Sequence, residues 1–133
     1  MARRKKLRPT DGELEILRVL WSIGPSTVRQ VHQRLLADRQ TSYNTTLKLL
    51  QIMHAKGTVV RDETHRPQVY RPAVCEGKMQ QRLVRDLLQR AFGGSARKLV
   101  AALTATDISP EEQAEIRLLL DELGETHNER VDS

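Results

Sequence analysis

The stretch TSYNTTLKLLQIMHAKG, residues 41–57, decides how the rest of the chain is read. It opens on polar and β-branched residues, continues through Leu47, Leu49, Leu50, Ile52 and Met53, and stops at Gly57, a residue type suited to ending helices. Thr46, Leu49, Leu50 and Met53 fall at i, i+3, i+4 and i+7, the spacing of one apolar helix face. At about 100° per residue, Asn44, Lys48, Gln51 and Ala55 lie opposite, with Tyr43 and Thr45 at the N-terminal edge. That opposite face is polar, short-chained and carries one charge. Its side chains can exchange hydrogen bonds within a groove without filling it.

Upstream, Thr10 and Glu13 have capping-box spacing, and Leu14, Leu17 and Trp21, widened by Leu20, predict a first helix with one buried face. Gly24-Pro25-Ser26 breaks it. Ser26 is the expected N-cap of a short second helix ending near Leu36, in which Val28, Val31 and Leu35 repeat at helical spacing. Downstream of Gly57, TVVRDETHRPQVYRP reads as strand, turn, strand: Val59 and Val60, the loop 62–67, then Val69 and Tyr70, with Pro72 as a stop. A two-stranded hairpin is not stable alone and must lean on the helices. Three helices followed by such a hairpin is the order of a winged helix-turn-helix, expected over residues 9–74.

The remaining chain reads as helical, so the expected fold is mostly α: a winged helix-turn-helix followed by an α-helical dimerisation segment, residues 75–124. Met79, Leu83, Leu87 and Ala91 form a stripe with Val84 and Leu88 beside it, and Gly93-Gly94-Ser95 breaks the run. Leu99, Val100 and Leu103 mark a short fifth helix. Ser109, Pro110 and Glu112 then form a strong helix start, followed by Ile116, Leu119, Leu120 and Leu123 at one-face spacing. Gly124 is expected to close that helix, leaving 125–133 as a flexible tail. Domains below about 60 residues are marginal without staples, so another surface must cover these stripes. A second copy of the chain is the simplest cover. Met79, Leu83, Leu87, Leu88, Leu99, Leu103, Ile116, Leu119, Leu120 and Leu123 are therefore the expected dimerisation residues.

Charge separates the two halves. Residues 1–75 hold 14 Lys/Arg against 6 Asp/Glu, whereas 76–133 hold 8 against 11, so the net +5 is the sum of +8 in the front half and −3 in the back half. A basic front suggests a polyanion as partner. Aromatic residues make up 3% of the chain, which favours helices over an aromatic-rich β fold. The single cysteine, Cys75, excludes an intrachain disulfide and a CxxC site. No apolar h-region follows the basic start and no apolar run approaches the ~18 residues of a membrane span, so a cytoplasmic protein without membrane insertion is expected. Enzyme signatures such as HExxH, GxSxG or a phosphate-cradling glycine loop are absent, and His32, His54, His65 and His127 lack metal-ligand spacing. No catalytic role, metal or cofactor is expected.

A helix-turn-helix presents the N-terminal residues of its recognition helix to base edges in the major groove of double-stranded DNA. Here these are Ser42, Tyr43, Asn44, Thr45 and Lys48, with Gln51 on the same face. Asn44 suits adenine, Lys48 guanine or phosphate, and Ser42, Tyr43 and Thr45 phosphates. Arg61, Arg66 and Gln68 are wing candidates; Asp62 and Glu63 oppose that role and are able to pair with the neighbouring arginines instead. Arg3, Arg4, Lys5 and Lys6 lie on a basic arm, residues 1–8, expected to be disordered and suited either to phosphates or to solubility alone.

TDGELEILRVLW, GPSTVRQVHQRL, TSYNTTLKLLQIMHAKGTVVR and QVYRPAV resemble, in order and spacing, the BlaI/MecI/CopY family of penicillinase-type repressors. The resemblance continues through QRAFGGSARKLVAAL and ISPEE. It implies a homodimeric winged-helix repressor on a palindromic operator of β-lactam-resistance or metal-homeostasis genes, dimerised by its C-terminal helices. Copper-responsive members carry paired C-terminal cysteines, which this chain lacks. Penicillinase-type members are inactivated by cleavage at an Asn-Phe bond, which the resemblance aligns with Ala101-Ala102; no Asn-Phe occurs here. Relief by a membrane-anchored metallopeptidase sensor thus remains an open expectation. A winged helix serving as a protein-interaction module, or a basic protein binding DNA without sequence preference, are the alternatives.

Overall fold

Side-chain caps set where the helices start. A computed structural model describes residues 8–132, with side chains as far as Gly124. Helix α1 (Asp11–Ile23) begins after Thr10, whose hydroxyl accepts from the Glu13 amide while the Glu13 carboxylate accepts from the Thr10 amide, each at 3.2 Å. Helix α2 (Val28–Leu36) and helix α3 (Tyr43–Lys56) follow, and Gly57 ends α3 in the left-handed conformation at φ 84°. That conformation costs glycine nothing sterically. Strands β1 (Val59–Asp62) and β2 (Val69–Pro72) then pair antiparallel, Val59 opposite Pro72 and Asp62 opposite Val69. Helices α4 (Glu76–Phe92), α5 (Ala96–Thr104) and α6 (Pro110–Asp132) complete the chain. The architecture is the expected winged helix-turn-helix followed by helices.

The start of α2 differs from expectation. Its N-cap is Thr27, not Ser26: Thr27 and Gln30 form a full capping box. Ser26 is committed elsewhere, because its N–H donates to the Tyr70 carbonyl at 2.9 Å and its carbonyl accepts from the Tyr70 N–H at 2.8 Å. This isolated bridge adds a short third rung beside the wing. The linker between α1 and α2 is thereby bound to β2.

The face of α1 is also rotated from the one expected. Glu13, Ile16, Leu17 and Leu20 are its buried residues, whereas Leu14 and Trp21 are half-buried. Trp21 lies at the boundary for a polar reason, its indole N–H donating to the Val74 carbonyl at 3.1 Å. Ile16, Leu17, Leu20, Val31, Leu35, Leu50, Met53, Val59, Tyr70 and Met79 share one core, drawn from the three helices, both strands and the beginning of α4.

Met79 corrects a further expectation. It is 2% exposed within that core, leaving no side-chain surface for a dimer partner, and Leu83 packs half-buried against the same cluster. The chain divides into two compact units, the first ending at Val84 and the second beginning at Arg85. The first turns of α4 thus belong with the winged helix. In the second unit Leu87, Leu103, Leu119, Leu120 and Leu123 are exposed, while Leu88, Leu99 and Ile116 are half-buried. Gly124 does not close α6, whose backbone runs on to Asp132. A terminating glycine adopts positive φ, as Gly57, Gly93 and Gly94 do, and Gly124 does not.

Met79→Ala should therefore lower the unfolding free energy by about 2–5 kcal/mol, the usual cost of emptying a core site. Urea denaturation followed by circular dichroism measures this; an unchanged midpoint would remove Met79 from the core.

Candidate nucleic-acid interface

The polar opening of α3 is first of all a cap. Ser42 accepts from the Thr45 amide at 3.0 Å, its hydroxyl pairs with the Thr45 hydroxyl at 2.8 Å, and its carbonyl accepts from the buried Thr46 hydroxyl at 3.3 Å. Ser42 and Thr45 thus direct much of their hydrogen-bonding capacity inward, more than their exposure suggests. Tyr43 is exposed and meets His32 of α2 edge to face, ring centroids 5.9 Å apart at 85°. Asn44, Lys48, Gln51 and Ala55 all lie on the exposed side, as their spacing requires. Among the described residues no partner engages the side chains of Asn44, Lys48 or Gln51. Thr46, Leu50 and Met53 are buried on the opposite face, with Leu49 half-buried beside them.

Between α3 and the wing lies a cleft of about 540 Å³. Its walls bring together Tyr43, Gln51, Arg61, Arg66 and Gln68, all singled out from sequence, and add Arg29. Spacing in the sequence does not mark Arg29. It occupies the exposed first turn of α2, a position visible once Thr27 is recognised as the cap.

The wing residues differ in their availability. Arg61 donates to Glu63 through both Nε (3.0 Å) and Nη2 (2.8 Å). Its guanidinium is held charged first by the Glu63 carboxylate and then by the Tyr70 hydroxyl, which push its pKa further above an already high value. Asp62 is used differently, accepting from the Thr64 amide at 2.9 Å and hydroxyl at 2.6 Å and pairing with His65 Nδ1 at 3.0 Å. The Thr64 hydrogen bonds, with His65 contributing less, hold the Asp62 carboxyl below its ordinary pKa. A depressed carboxyl stabilises the fold above its unfolded pKa of about 4, and that contribution fades as pH falls through the folded value. Arg66 is exposed and Gln68 half-buried. The arm residues Arg3, Arg4, Lys5 and Lys6 lie outside the described residues.

A partly buried ion pair ties the end of α3 to α1. Lys56, in its last turn, donates to both Glu13 carboxylate oxygens at 3.1 and 2.9 Å. The Glu13 side chain is 3% exposed and that of Lys56 25%. Glu13 therefore caps α1 and holds the far end of α3 at once.

The exposed polar helix, the adjoining wing and the basic charge place the chain in the class of winged-helix DNA-binding transcriptional regulators. The penicillinase repressor family profile matches residues 9–122, and the chain belongs to that family. It is 30% identical over 127 residues to the transcriptional regulator BlaI of Mycobacterium tuberculosis, in strains CDC 1551 and H37Rv, covering 95% of this chain and 92% of that one. The family is one of transcriptional repressors, not enzymes. A crystal structure of AbfR of Staphylococcus epidermidis shares the fold at a TM-score of 0.50 and 18% identity, covering 96% of this chain and 77% of that one. No helix among the described residues is long and apolar enough to cross a membrane, and none of their His, Cys, Asp and Glu side chains form a group of three or more that could hold a metal ion.

Breaking the Glu13–Lys56 pair should be asymmetric. Lys56→Met leaves a buried carboxylate unpaired and should cost about 3 kcal/mol, whereas Glu13→Gln leaves a lysine that can turn to solvent and should cost less. Paired chemical denaturation curves check the order. Equal losses would mean that the charge of Glu13 is not confined.

Proposed function

We propose that this chain represses transcription as a homodimer bound to a palindromic operator, with the N-terminal face of α3 reading bases in the major groove. The observation that supports it most directly is the uncommitted set Asn44, Lys48 and Gln51 on an exposed helix face beside a basic cleft. Buried polar side chains find internal partners; exposed ones at a recognition-helix position are available for base edges. Asn44 matches the donor and acceptor pair of adenine, and Lys48 reaches guanine or phosphate. Tyr43, with Ser42 and Thr45, suits the backbone, as do Arg66, Gln68 and Arg29 from the cleft walls. The arm residues Arg3, Arg4, Lys5 and Lys6 would add phosphate contacts in the same reading.

Dimerisation is assigned to the second unit. Leu118, Leu119, Leu120 and Leu123 are 51–63% exposed on α6 and Leu87 and Leu103 are also uncovered, whereas Met79 is excluded by its burial. Leucines in such number gain about 25 cal/mol for each Å² removed from water, and an identical chain supplies a matching surface. Two-fold symmetry of the protein then calls for two-fold symmetry of the site.

Relief by proteolysis fits the same unit. Ala101 and Ala102 lie inside α5, a nine-residue helix with no buried residue. Helices this short are marginal by themselves, so α5 can unwind to present an extended segment to a metallopeptidase. Cutting there would separate α6 from the DNA-binding unit. Linked half-site contacts lose their avidity once the link is cut.

Asn44→Ala should weaken operator binding by about 1–3 kcal/mol and relax preference at one base pair while leaving random DNA unaffected. Quantitative gel shifts against operator and scrambled duplexes test this, the intact protein being expected to prefer its site by roughly 10³-fold. Equal weakening on both duplexes would reduce Asn44 to a positioning role. Leu120→Glu should yield monomers by sedimentation with operator affinity lowered at least about tenfold. A dimer that persists would move the interface away from α6.

A further inference from the structure

An arginine of the wing carries its own counter-ion. Arg61 stands in β1 opposite Tyr70 and lines the cleft that faces Tyr43, Leu47 and Gln51 of α3. Its Nε and Nη2 donors converge on a single oxygen, Glu63 Oε2. The two acids of the wing are not equivalent. Asp62 builds the turn through Thr64 and His65, whereas the interaction of Glu63 is the one with Arg61. The partners are unequal too: the Arg61 side chain is 26% exposed and that of Glu63 58%, so the carboxylate is the partner nearer to solvent.

We propose that Glu63 is a built-in competitor for the DNA backbone, occupying Arg61 in the free protein and giving way to a phosphate when the wing engages DNA. The inference rests on the DNA-binding reading above and adds a residue that opposes binding. A phosphate oxygen and a carboxylate oxygen present the same acceptor to a guanidinium, and only one can take the Nε and Nη2 pair at a time. The exchange breaks one ion pair and forms another, with no proton moved. While the pair holds, the Nε and Nη2 donors of Arg61 are closed to a phosphate, and Asp62 and Glu63 offset the charges of Arg61 and Arg66.

The test is a double-mutant cycle on the full-length protein, with duplex DNA of scrambled and operator sequence titrated between 50 and 200 mM salt, roughly the range over which phosphate contacts register. Glu63→Gln should tighten binding about two- to fivefold, the size of an exposed ion pair, and steepen the salt dependence by about one phosphate. In an Arg61→Gln background the same substitution should have no effect. A gain that persists without Arg61 would reduce Glu63 to long-range repulsion, and no gain in the intact wing would show that the pair survives on DNA; either overturns the proposal. The thermal melt of Glu63→Gln should coincide with that of the unmodified protein, since Glu63 lies on the exposed turn. Failure of the unmodified protein to bind any duplex would instead remove the DNA-binding reading, and this proposal with it.

Discussion

The bond from Lys56 to Glu13 is the constraint around which the winged helix is arranged. Glu13 sits in the first turn of α1, where its carboxylate answers the free amide of Thr10, and Lys56, the last residue of α3, reaches both oxygens of that carboxylate. A carboxylate so nearly removed from water is tolerated only when its acceptor sites are filled and its charge is opposed. Both conditions bind the angle between α1 and α3. Helix α3 is tied at its last turn, while Asn44, Lys48 and Gln51 stay exposed along its outer face. Lys56 also places a positive charge at the negative end of the α3 dipole, so local and tertiary preferences agree.

A second tie fixes the wing. Tyr70 is buried in the core through its ring, paired to Arg61 across the hairpin, and bridged to Ser26 through its backbone. A hairpin of two four-residue strands has little stability of its own, and these attachments supply what it lacks. They also join the wing to the α1–α2 linker, so α2, α3 and the wing define one cleft, with Arg29, Arg61 and Arg66 along it. Within that cleft the balance of Arg61 against Glu63 matters because both side chains are near solvent, where an ion pair is easily exchanged for another.

The second unit follows a different logic. Its helices are well started, Ser95 and Ser109 each capping through the side chain, yet none of the residues of α5 is buried. Helix formation and burial have come apart there. Local signals suffice to form a helix, but only an opposing surface can bury its face, and the leucines of α6 are exposed. This is the opposite of the first unit, where every strongly apolar stripe meets another within the same chain.

By itself the sequence determined the order of elements and most of their limits, because caps, glycine stops and apolar spacing are local. The start of α1 at Thr10, the stop of α3 at Gly57 and the exposed set Asn44, Lys48 and Gln51 all follow from residues within a turn or two of each other. Tertiary structure alone decided what depends on distant partners. Thr10–Glu13 spacing signalled a cap but not that Glu13 would be buried against Lys56, 43 residues away. Ser26 has the residue type of a cap, and its backbone was nevertheless taken by Tyr70. Met79 shares a helical stripe with Leu83 and Leu87, but the winged-helix core closes over Met79 and leaves Leu87 exposed. Periodicity reports which residues share a face; which part of that face finds a partner is set by what the rest of the chain brings against it.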